Sequence, residues 1–141
     1  MLLPTTISES SSRTNSAEML AWEWALKAGG SSGDDRSNDV AVDSNGDIYV
    51  TGAFEQTATF GSTTLTSAGD TDIFVAKMNS TGYWFWAVQA GGSNQDIGEG
   101  IALDSSGNVF VTGTFQNSAQ FGTNSLTTNN GNAFDPYVSK K

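Results

Sequence analysis

The 141-residue chain contains no cysteine and no histidine. Without cysteine, neither disulfide bonds nor thiolate metal sites can form, and the sequence does not indicate whether the protein works in an oxidising or a reducing compartment. Without histidine, the chain lacks the usual general base near neutral pH and the commonest zinc ligand. Since no Ser/Lys or paired-carboxylate arrangement stands out either, we expect a protein that is not an enzyme.

Basic residues and long apolar segments are also scarce. Six Lys and Arg residues stand against fifteen Asp and Glu, which gives a net charge of −9 and argues against nucleic acid as a partner. No segment approaches the roughly 18 apolar residues that a membrane span needs. The Ser/Thr-rich start lacks the basic and apolar regions of a signal peptide, so we expect residues 1–21 to form an N-terminal arm.

An internal repeat dominates the rest of the chain. The stretch "DSNGDIYVTGAFEQTATFG" from Asp43 returns as "DSSGNVFVTGTFQNSAQFG" from Asp104, at an offset of 61 residues. Upstream, "WALKAGGSS" from Trp24 matches "WAVQAGGSN" from Trp86 at an offset of 62, so the difference in length falls in a loop. Such self-similarity predicts a fold built from repeated supersecondary units.

Within each unit the pattern is that of four antiparallel strands separated by Gly-containing turns. Residues 55–71 are too long for a plain loop, and their recurring Phe and Leu predict a small extra hairpin between the second and third strands. The run "SAEMLAWEWALKA" contains good helix formers, but its alignment with the strand "YWFWAVQA" favours a strand. Four strands with a Trp in the outer strand are typical of a β-propeller blade.

These residues resemble a known family. The pattern "VAVDSNGDIYVTGAF", followed by "DIFVAK" and "WFWAVQAGG", is similar to the bacterial β-propeller repeat called SBBP, and the resemblance covers residues 22–140. It implies an all-β propeller fold in exported or surface-associated proteins, with no general catalytic residues. It also implies an extracellular or cell-surface location, although no signal peptide is visible in the sequence.

The strand order predicts a two-blade unit over residues 22–141, in which residues 38–92 form a complete blade. Residues 22–30 read as the outer strand of a split blade, and residues 99–141 as its first three strands. We expect strand exchange, in which the outer strand of one subunit completes the split blade of its neighbour and covers its unpaired edge. With two blades per chain, a ring is a dimer, a trimer or a tetramer, the last two being favoured, and an unclosed contact gives a filament. The alternative is a fragment of a longer repeat protein.

Candidate ligand sites lie in the loops between blades, residues 29–39 and 91–100, which we expect at one rim of the propeller. Their carboxylates could bind Ca²⁺ or sugar hydroxyls, although acids also stabilise turns. The acidic candidates are Asp34, Asp35, Asp39, Asp96 and Glu99. Trp22 and Trp84 are candidates for stacking on a sugar ring. A carbohydrate-binding or protein-binding module therefore stays open beside a structural subunit, with a glycosidase or lyase as a remote third class.

The two turns after the first strand of each unit carry the only other candidates for a metal. Asp43, Asp47 and Asp104 offer hard oxygen ligands, but the spacing and distal Glu of a calcium loop are missing, and tight turns favour the same residues. Apart from Ca²⁺, no cofactor is indicated. The predicted blade core consists of large residues that recur in both units: Trp24, Trp86, Val50, Val111, Phe54, Phe115, Phe60 and Phe121.

Overall fold

The computed structural model describes residues 21–141, so the predicted N-terminal arm, residues 1–21, lies outside the described residues except for Ala21. Eleven strands and no helix are found in the described part of the chain. In chain order the strands are β1 (Arg36–Val42), β2 (Ile48–Phe54), β3 (Thr57–Phe60), β4 (Thr63–Thr66), β5 (Asp72–Met78), β6 (Trp84–Ala90), β7 (Ile97–Leu103), β8 (Val109–Gln116), β9 (Ser118–Phe121), β10 (Asn124–Thr127) and β11 (Phe134–Lys140). Among residues 21–141, no helix has the length and apolarity to cross a membrane.

The strands form two antiparallel sheets with the same topology. Sheet 1 has the order β1-β2-β5-β6, and sheet 2 has the order β7-β8-β11. Each sheet carries a two-stranded hairpin between its second and third strands, β3–β4 in sheet 1 and β9–β10 in sheet 2, as the length of residues 55–71 predicts. Sheet 2 therefore lacks a counterpart of β6 within the described residues.

Tight turns join the first two strands of each sheet. In sheet 1, Oδ1 of Asp43 accepts hydrogen bonds from the backbone N–H groups of Asn45 (2.9 Å) and Asp47 (3.0 Å). In sheet 2, Oδ1 of Asp104 accepts two bonds in the same way. Gly46 and Gly107 both have a φ of 82°, a conformation that glycine adopts without steric cost. The repeated Asp and Gly therefore fix the turn.

The two sheets pack face to face. The back face of sheet 1, which contains Tyr49, Ile73 and Val75, joins one buried cluster with Val111 and Phe115 on the front face of sheet 2. β7, the inner strand of sheet 2 as β1 is of sheet 1, approaches sheet 1 closely, because a Cβ added to Gly98 of β7 would lie 2.4 Å from Oγ1 of Thr51 in β2. Only glycine fits this contact without a shift of the backbone.

A second cluster lies on the opposite, front face of sheet 1. It contains Phe54, Phe60 and Phe74, with Leu65 of the β3–β4 hairpin and Trp84 at its margin. The rings of Phe60 and Phe74 are 4.8 Å apart between centroids. The hairpin thus serves as a partial lid for this face.

The predicted outer strand at residues 22–30 is not formed. Residues 22–28 contain no strand, and the segment has one isolated bridge, between Gly29 and Thr59. A strand requires a neighbour for its ladder of hydrogen bonds, and no strand of the described chain runs beside this segment. The alternating Trp, Leu and Ala residues are therefore present without the pairing that the pattern predicts.

Candidate functional site

An open apolar groove marks the front face of sheet 1. It has a volume of about 450 Å³ and runs between the sheet and residues 24–28. Its walls are mostly aliphatic and aromatic side chains of sheet 1, namely Val50, Phe54, Phe60, Phe74, Met78 and Trp84. Three charged residues also line it, Lys27, Asp35 and Arg36.

The segment at residues 24–28 is held against sheet 1 by specific contacts. Nε1 of Trp24 donates a hydrogen bond to the backbone oxygen of Ser80 (3.0 Å). Gly29 exchanges two backbone hydrogen bonds with Thr59 of β3, and Gly91, at the equivalent position after β6, does the same with Gln120 of β9. Gly29 therefore contacts the β3–β4 hairpin of sheet 1 in the same way as Gly91, the residue after β6, contacts the β9–β10 hairpin of sheet 2.

The back face of sheet 2 is also open. Thr112, Pro136 and Val138 are exposed there, whereas the equivalent residues on the back face of sheet 1 are buried: Thr51, Ile73 and Val75. The outer edge of β11 has no partner strand within residues 21–141. Sheet 2 thus presents both an unpaired edge and an uncovered face.

Of the acidic candidates, Asp34, Asp35 and Asp39 lie in separate local structures. Oδ2 of Asp35 accepts a bond from the N–H of Gly30 (2.7 Å), and Asp34 donates its N–H to Oε2 of Glu55 (3.3 Å). Asp39 lies at the contact between β1 and β7, where its Oδ2 accepts from the N–H of Ile101 (2.8 Å). Glu99 is exposed on β7 beside this contact.

Asp96 is fully buried, unlike the other acidic candidates. Its two carboxylate oxygens accept bonds from the N–H groups of Gly92 (2.7 Å) and Gln116 (3.2 Å). Burial, together with the negative charge of Asp72, raises the pKa of Asp96 to about 6. These bonds form a junction between the loop that contains Gly92 and the end of β8, and the buried carboxylate is not accessible to a ligand.

Asp72, which the sequence did not place among the candidate site residues, is the second buried carboxylate at this junction. Its Oδ2 accepts from the N–H of Ala68, whereas its Oδ1 has no hydrogen-bond partner among the described residues. Burial raises the pKa of Asp72 above its usual value. The repeat contained a signal, because this acid returns as Asp135 and both open the third strand of their unit.

The acidic residues do not assemble into a metal site. Across residues 21–141, no group of three or more His, Cys, Asp or Glu residues could hold a metal ion. Between the calcium candidates Asp43 and Asp47 lies the ammonium of Lys77, 2.8 Å from Oδ2 of Asp47 and 3.9 Å from Oδ2 of Asp43. Asp104 is instead bonded by the amide of Asn108 (2.6 Å). A side-chain cation thus takes the position that calcium would need in the first turn.

The tryptophans divide between the groove and the contact between sheets. Trp84 lines the groove and packs edge-on against Phe60, with 5.2 Å between ring centroids. Trp86 packs edge-on against Tyr49 on the other face (6.2 Å). Trp22 is 92% exposed and remains a candidate for stacking on a ligand.

Most of the predicted core residues are enclosed. Phe54, Phe60, Val111 and Phe115 are buried, while Val50, Trp86 and Phe121 are half-buried. Trp24 departs from the prediction, because it is 39% exposed within one chain. No further sheet covers it among the described residues, so its indole rests against sheet 1 on one side only.

Two antiparallel sheets of the same topology, built on one sequence repeat and stacked face to face, are typical of β-propeller repeats. Comparison with protein families places the chain further: the SBBP family, described as a beta-propeller repeat, matches residues 23–53 and 86–114. The SBBP repeat model therefore matches the chain twice. Each match begins with the Trp-containing segment before the inner strand, at residues 24–28 in one repeat and in β6 in the other. A similarity search against curated proteins gave no match.

Proposed function

We propose that this chain is a non-catalytic, self-assembling subunit of an extracellular β-propeller. Each of the two sheets is one blade, and the blade that lacks a fourth strand receives it from another copy of the chain. Support for the location outside the cell comes from the resemblance to SBBP repeats, which implies exported or surface-associated proteins. The role is structural: a scaffold that presents loops on a rigid ring or filament.

The observation that carries the proposal is that two segments of the described chain, which the repeat predicts to pair, both lack a partner strand. Residues 24–28 correspond to β6 in the repeat, and the glycine after each segment bonds to the hairpin of a sheet, Gly29 to β3 and Gly91 to β9. Yet residues 24–28 form no ladder with a neighbouring strand. β11 corresponds to β5, the strand that pairs with β6, and its outer edge has no partner among residues 21–141. Pairing the two between copies satisfies the backbone groups of both.

The register of this pairing follows from β5 and β6. In sheet 1, Val75 lies opposite Val88, and Ala76 lies opposite Ala87. The repeat converts these pairs into Val138 opposite Leu26 and Ser139 opposite Ala25 of the next copy. Because the contact is head-to-tail, a trimer of six blades or a tetramer of eight closes a ring, and a rotation that does not close gives a filament.

Engineered cysteines test the proposal, since the natural chain has none. We expect the double variant Ser139→Cys/Ala25→Cys to form disulfides between copies, because directly opposed residues in an antiparallel pair have Cα atoms about 4.5 to 5.5 Å apart. Mild oxidation followed by non-reducing electrophoresis should give a discrete largest species for a ring, or an extended ladder for a filament.

Two controls make the result specific. Ser139→Cys alone should give at most a disulfide-linked dimer, and Ser139→Cys/Glu23→Cys, two positions out of register, should cross-link much less. Equal cross-linking by the in-register and out-of-register pairs would contradict strand exchange. A chain that remains monomeric in light scattering at all concentrations would contradict self-assembly itself.

A further inference from the structure

The groove on the front face of sheet 1 has an apolar surface that the described chain leaves uncovered. Phe54 and Phe74 are buried in its floor, whereas Val50 and Trp84 are half-buried and Leu26 is 51% exposed. A contiguous apolar surface lined by aromatic side chains is typical of a docking site. The identity of its occupant can be read from the second repeat, where the equivalent face is covered.

That covered face is the front of sheet 2. Val111, Phe115 and Ala119 lie there, at the positions that Val50, Phe54 and Ala58 hold in sheet 1. Residues from the back face of sheet 1 join their cluster: Tyr49, Ile73 and Val75 are buried in it, and Val88 of β6 packs against it. One chain thus contains a complete example of the contact that the groove lacks.

The chain also displays the missing half of that contact at its other end. Val138 of β11 stands at the repeat position of Val75 and is 75% exposed. Leu26 stands at the position of Val88 and already lines the groove. What the groove lacks, compared with the covered face, is therefore a set of residues equivalent to Tyr49, Ile73 and Val75, of which Val138 matches Val75.

We propose that the groove binds the back face of sheet 2 from a second copy of the chain, with Val138 of that copy seated against Val50. The inference rests on the proposed self-assembly and extends it, because it assigns the contact to a packed face as well as to a paired edge. The choice of occupant follows from the repeat, because the two faces proposed to meet hold the same repeat positions as the two faces that already pack together inside one chain.

The two contacts differ at the inner strands. Within the chain, Nδ2 of Asn38 donates to the backbone oxygen of Gly98 (2.7 Å). Between copies, Glu99 would take the place of Asn38, and Ser37 the place of Gly98. A hydroxyl on one side and a carboxylate on the other allow a hydrogen bond from Ser37 to Glu99, with the roles of donor and acceptor exchanged.

Ser37 also carries a Cβ where the contact within the chain accepts only glycine. At Gly98 a Cβ would lie 2.4 Å from Oγ1 of Thr51, so the equivalent approach of Ser37 to Thr112 cannot be as close. We therefore expect β1 of one copy to lie farther from β8 of the adjoining copy than β7 lies from β2 within the chain. The apolar contact at Val138, farther from the inner strands, then provides most of the attraction between copies.

Substitution of Val138 tests the inference in the full chain. Burial of one valine corresponds to roughly a tenfold to hundredfold change in a dissociation constant. We expect Val138→Asp to raise the dissociation constant of self-association at least tenfold, Val138→Thr to raise it less, and Ser106→Asp, which adds the same charge at an exposed turn, to leave it within about twofold. Sedimentation equilibrium measures the constant, and near-UV circular dichroism checks that each variant is folded.

The outcomes separate this inference from strand exchange. If Val138→Asp assembles like the natural chain while the cysteines at 25 and 139 still cross-link, the groove contact is wrong and strand exchange stands. If Val138→Asp dissociates while that cysteine pair fails to cross-link, the groove contact stands and the strand register is wrong. A natural chain that is monomeric at every concentration overturns both.

Discussion

Val75 and Val138 hold the same position in the two repeats, yet Val75 is 9% exposed and Val138 is 75% exposed. The front faces show the same difference: Ile101 is 9% exposed on sheet 2, and its counterpart Val40 is 57% exposed on sheet 1. Since the local sequences are alike, the difference comes from whether another sheet is present. Each repeat therefore specifies two packing faces, and the described chain joins only one pair of them.

The buried acids show that the same comparison holds for charge. Asp96 and Asp35 are equivalent residues, and each accepts a 2.7 Å bond from a backbone N–H, that of Gly92 or Gly30. Asp96 is buried and lies near Asp72, whereas Asp35 is exposed. An acid that is solvated at an open face thus becomes enclosed where two sheets meet.

The largest expected effect is a difference in stability between substitutions on the packed back face of sheet 1 and on the exposed back face of sheet 2. Val75→Asp places a carboxylate in the contact between sheets, and we expect it to lower the free energy of unfolding by about 2 to 4 kcal/mol. Val138→Asp makes the same change at an open face and should alter it by less than about 0.5 kcal/mol in the monomer. Urea unfolding at a protein concentration too low for self-association measures both values.

Equal destabilisation by the two substitutions would break the comparison, because it would mean that Val138 is enclosed within a single chain. Val75→Thr is the milder control, since it keeps the branched shape and should fall between Val75→Asp and the natural chain. The order of the three variants therefore tests burial at position 75 as well as charge.

Much of the fold could be predicted from the repeat. The extra hairpin predicted for residues 55–71 appears between the second and third strands of sheet 1, and its counterpart appears in sheet 2. The first strand begins at Arg36, earlier than the predicted start of the complete blade at residue 38, because Arg36 and Ser37 pair with Ala53 and Gly52 across a bulge. Polar residues at such a start carry no alternating pattern, so backbone pairing alone extends the strand.

The candidate site was less predictable. The sequence placed the acidic residues on a common rim, but it could not say which backbone N–H groups their carboxylates would bind. Asp35, Asp39 and Asp96 each accept such a bond, and these partners are as far apart in sequence as Asp39 and Ile101. The groove escaped prediction for a related reason: it lies on a face that no other sheet of residues 21–141 covers, and repeat positions alone do not report that.

The second expected effect concerns pH and the buried acids. The pKa of Asp96 is raised to about 6, above its value near 3.9 in an unfolded chain, so the folded chain holds a proton that the unfolded chain releases. This contribution to stability is full below about pH 4 and is lost as the pH rises through 6. We expect the free energy of unfolding of the monomeric Val138→Asp variant to fall by on the order of 2 to 3 kcal/mol between about pH 4.5 and 7.5.

Asp72→Asn provides the sharper version of this experiment. It removes the neighbouring negative charge and offers an amide N–H at the position of the unpartnered Oδ1, so it should stabilise the chain at neutral pH and flatten the pH dependence. Asp135→Asn is the matched control at the equivalent, half-buried position and should leave the profile unchanged. A flat profile for the parent variant would mean that Asp96 is solvated.

The smallest expected effect compares the two turns. Lys77 bonds to Asp47, and its pKa is raised chiefly by that contact, whereas the equivalent turn has Asn108 in place of Asp47. Asp47→Asn rewrites the first turn as the second, and we expect a loss of about 0.5 to 1 kcal/mol, because the pair is partly solvated. The loss should shrink in 1 M NaCl, which screens charges beyond about 3 Å.

A double-mutant cycle with Lys77→Met isolates this pair from the contact that the ammonium also makes with the ring of Tyr49, 4.9 Å from its centroid. If the coupling between positions 47 and 77 is zero, the two turns are equivalent in stability, and the Asp at position 47 adds nothing beyond the hydrogen bonds that Asp43 makes in its own turn. If the coupling is near 1 kcal/mol and salt-sensitive, the ion pair stabilises the turn of sheet 1. Sheet 1 is also the sheet that has the groove on its front face and sheet 2 packed on its back face. Sheet 1 would then be the more stable half of the chain, suited to receive a partner without rearranging.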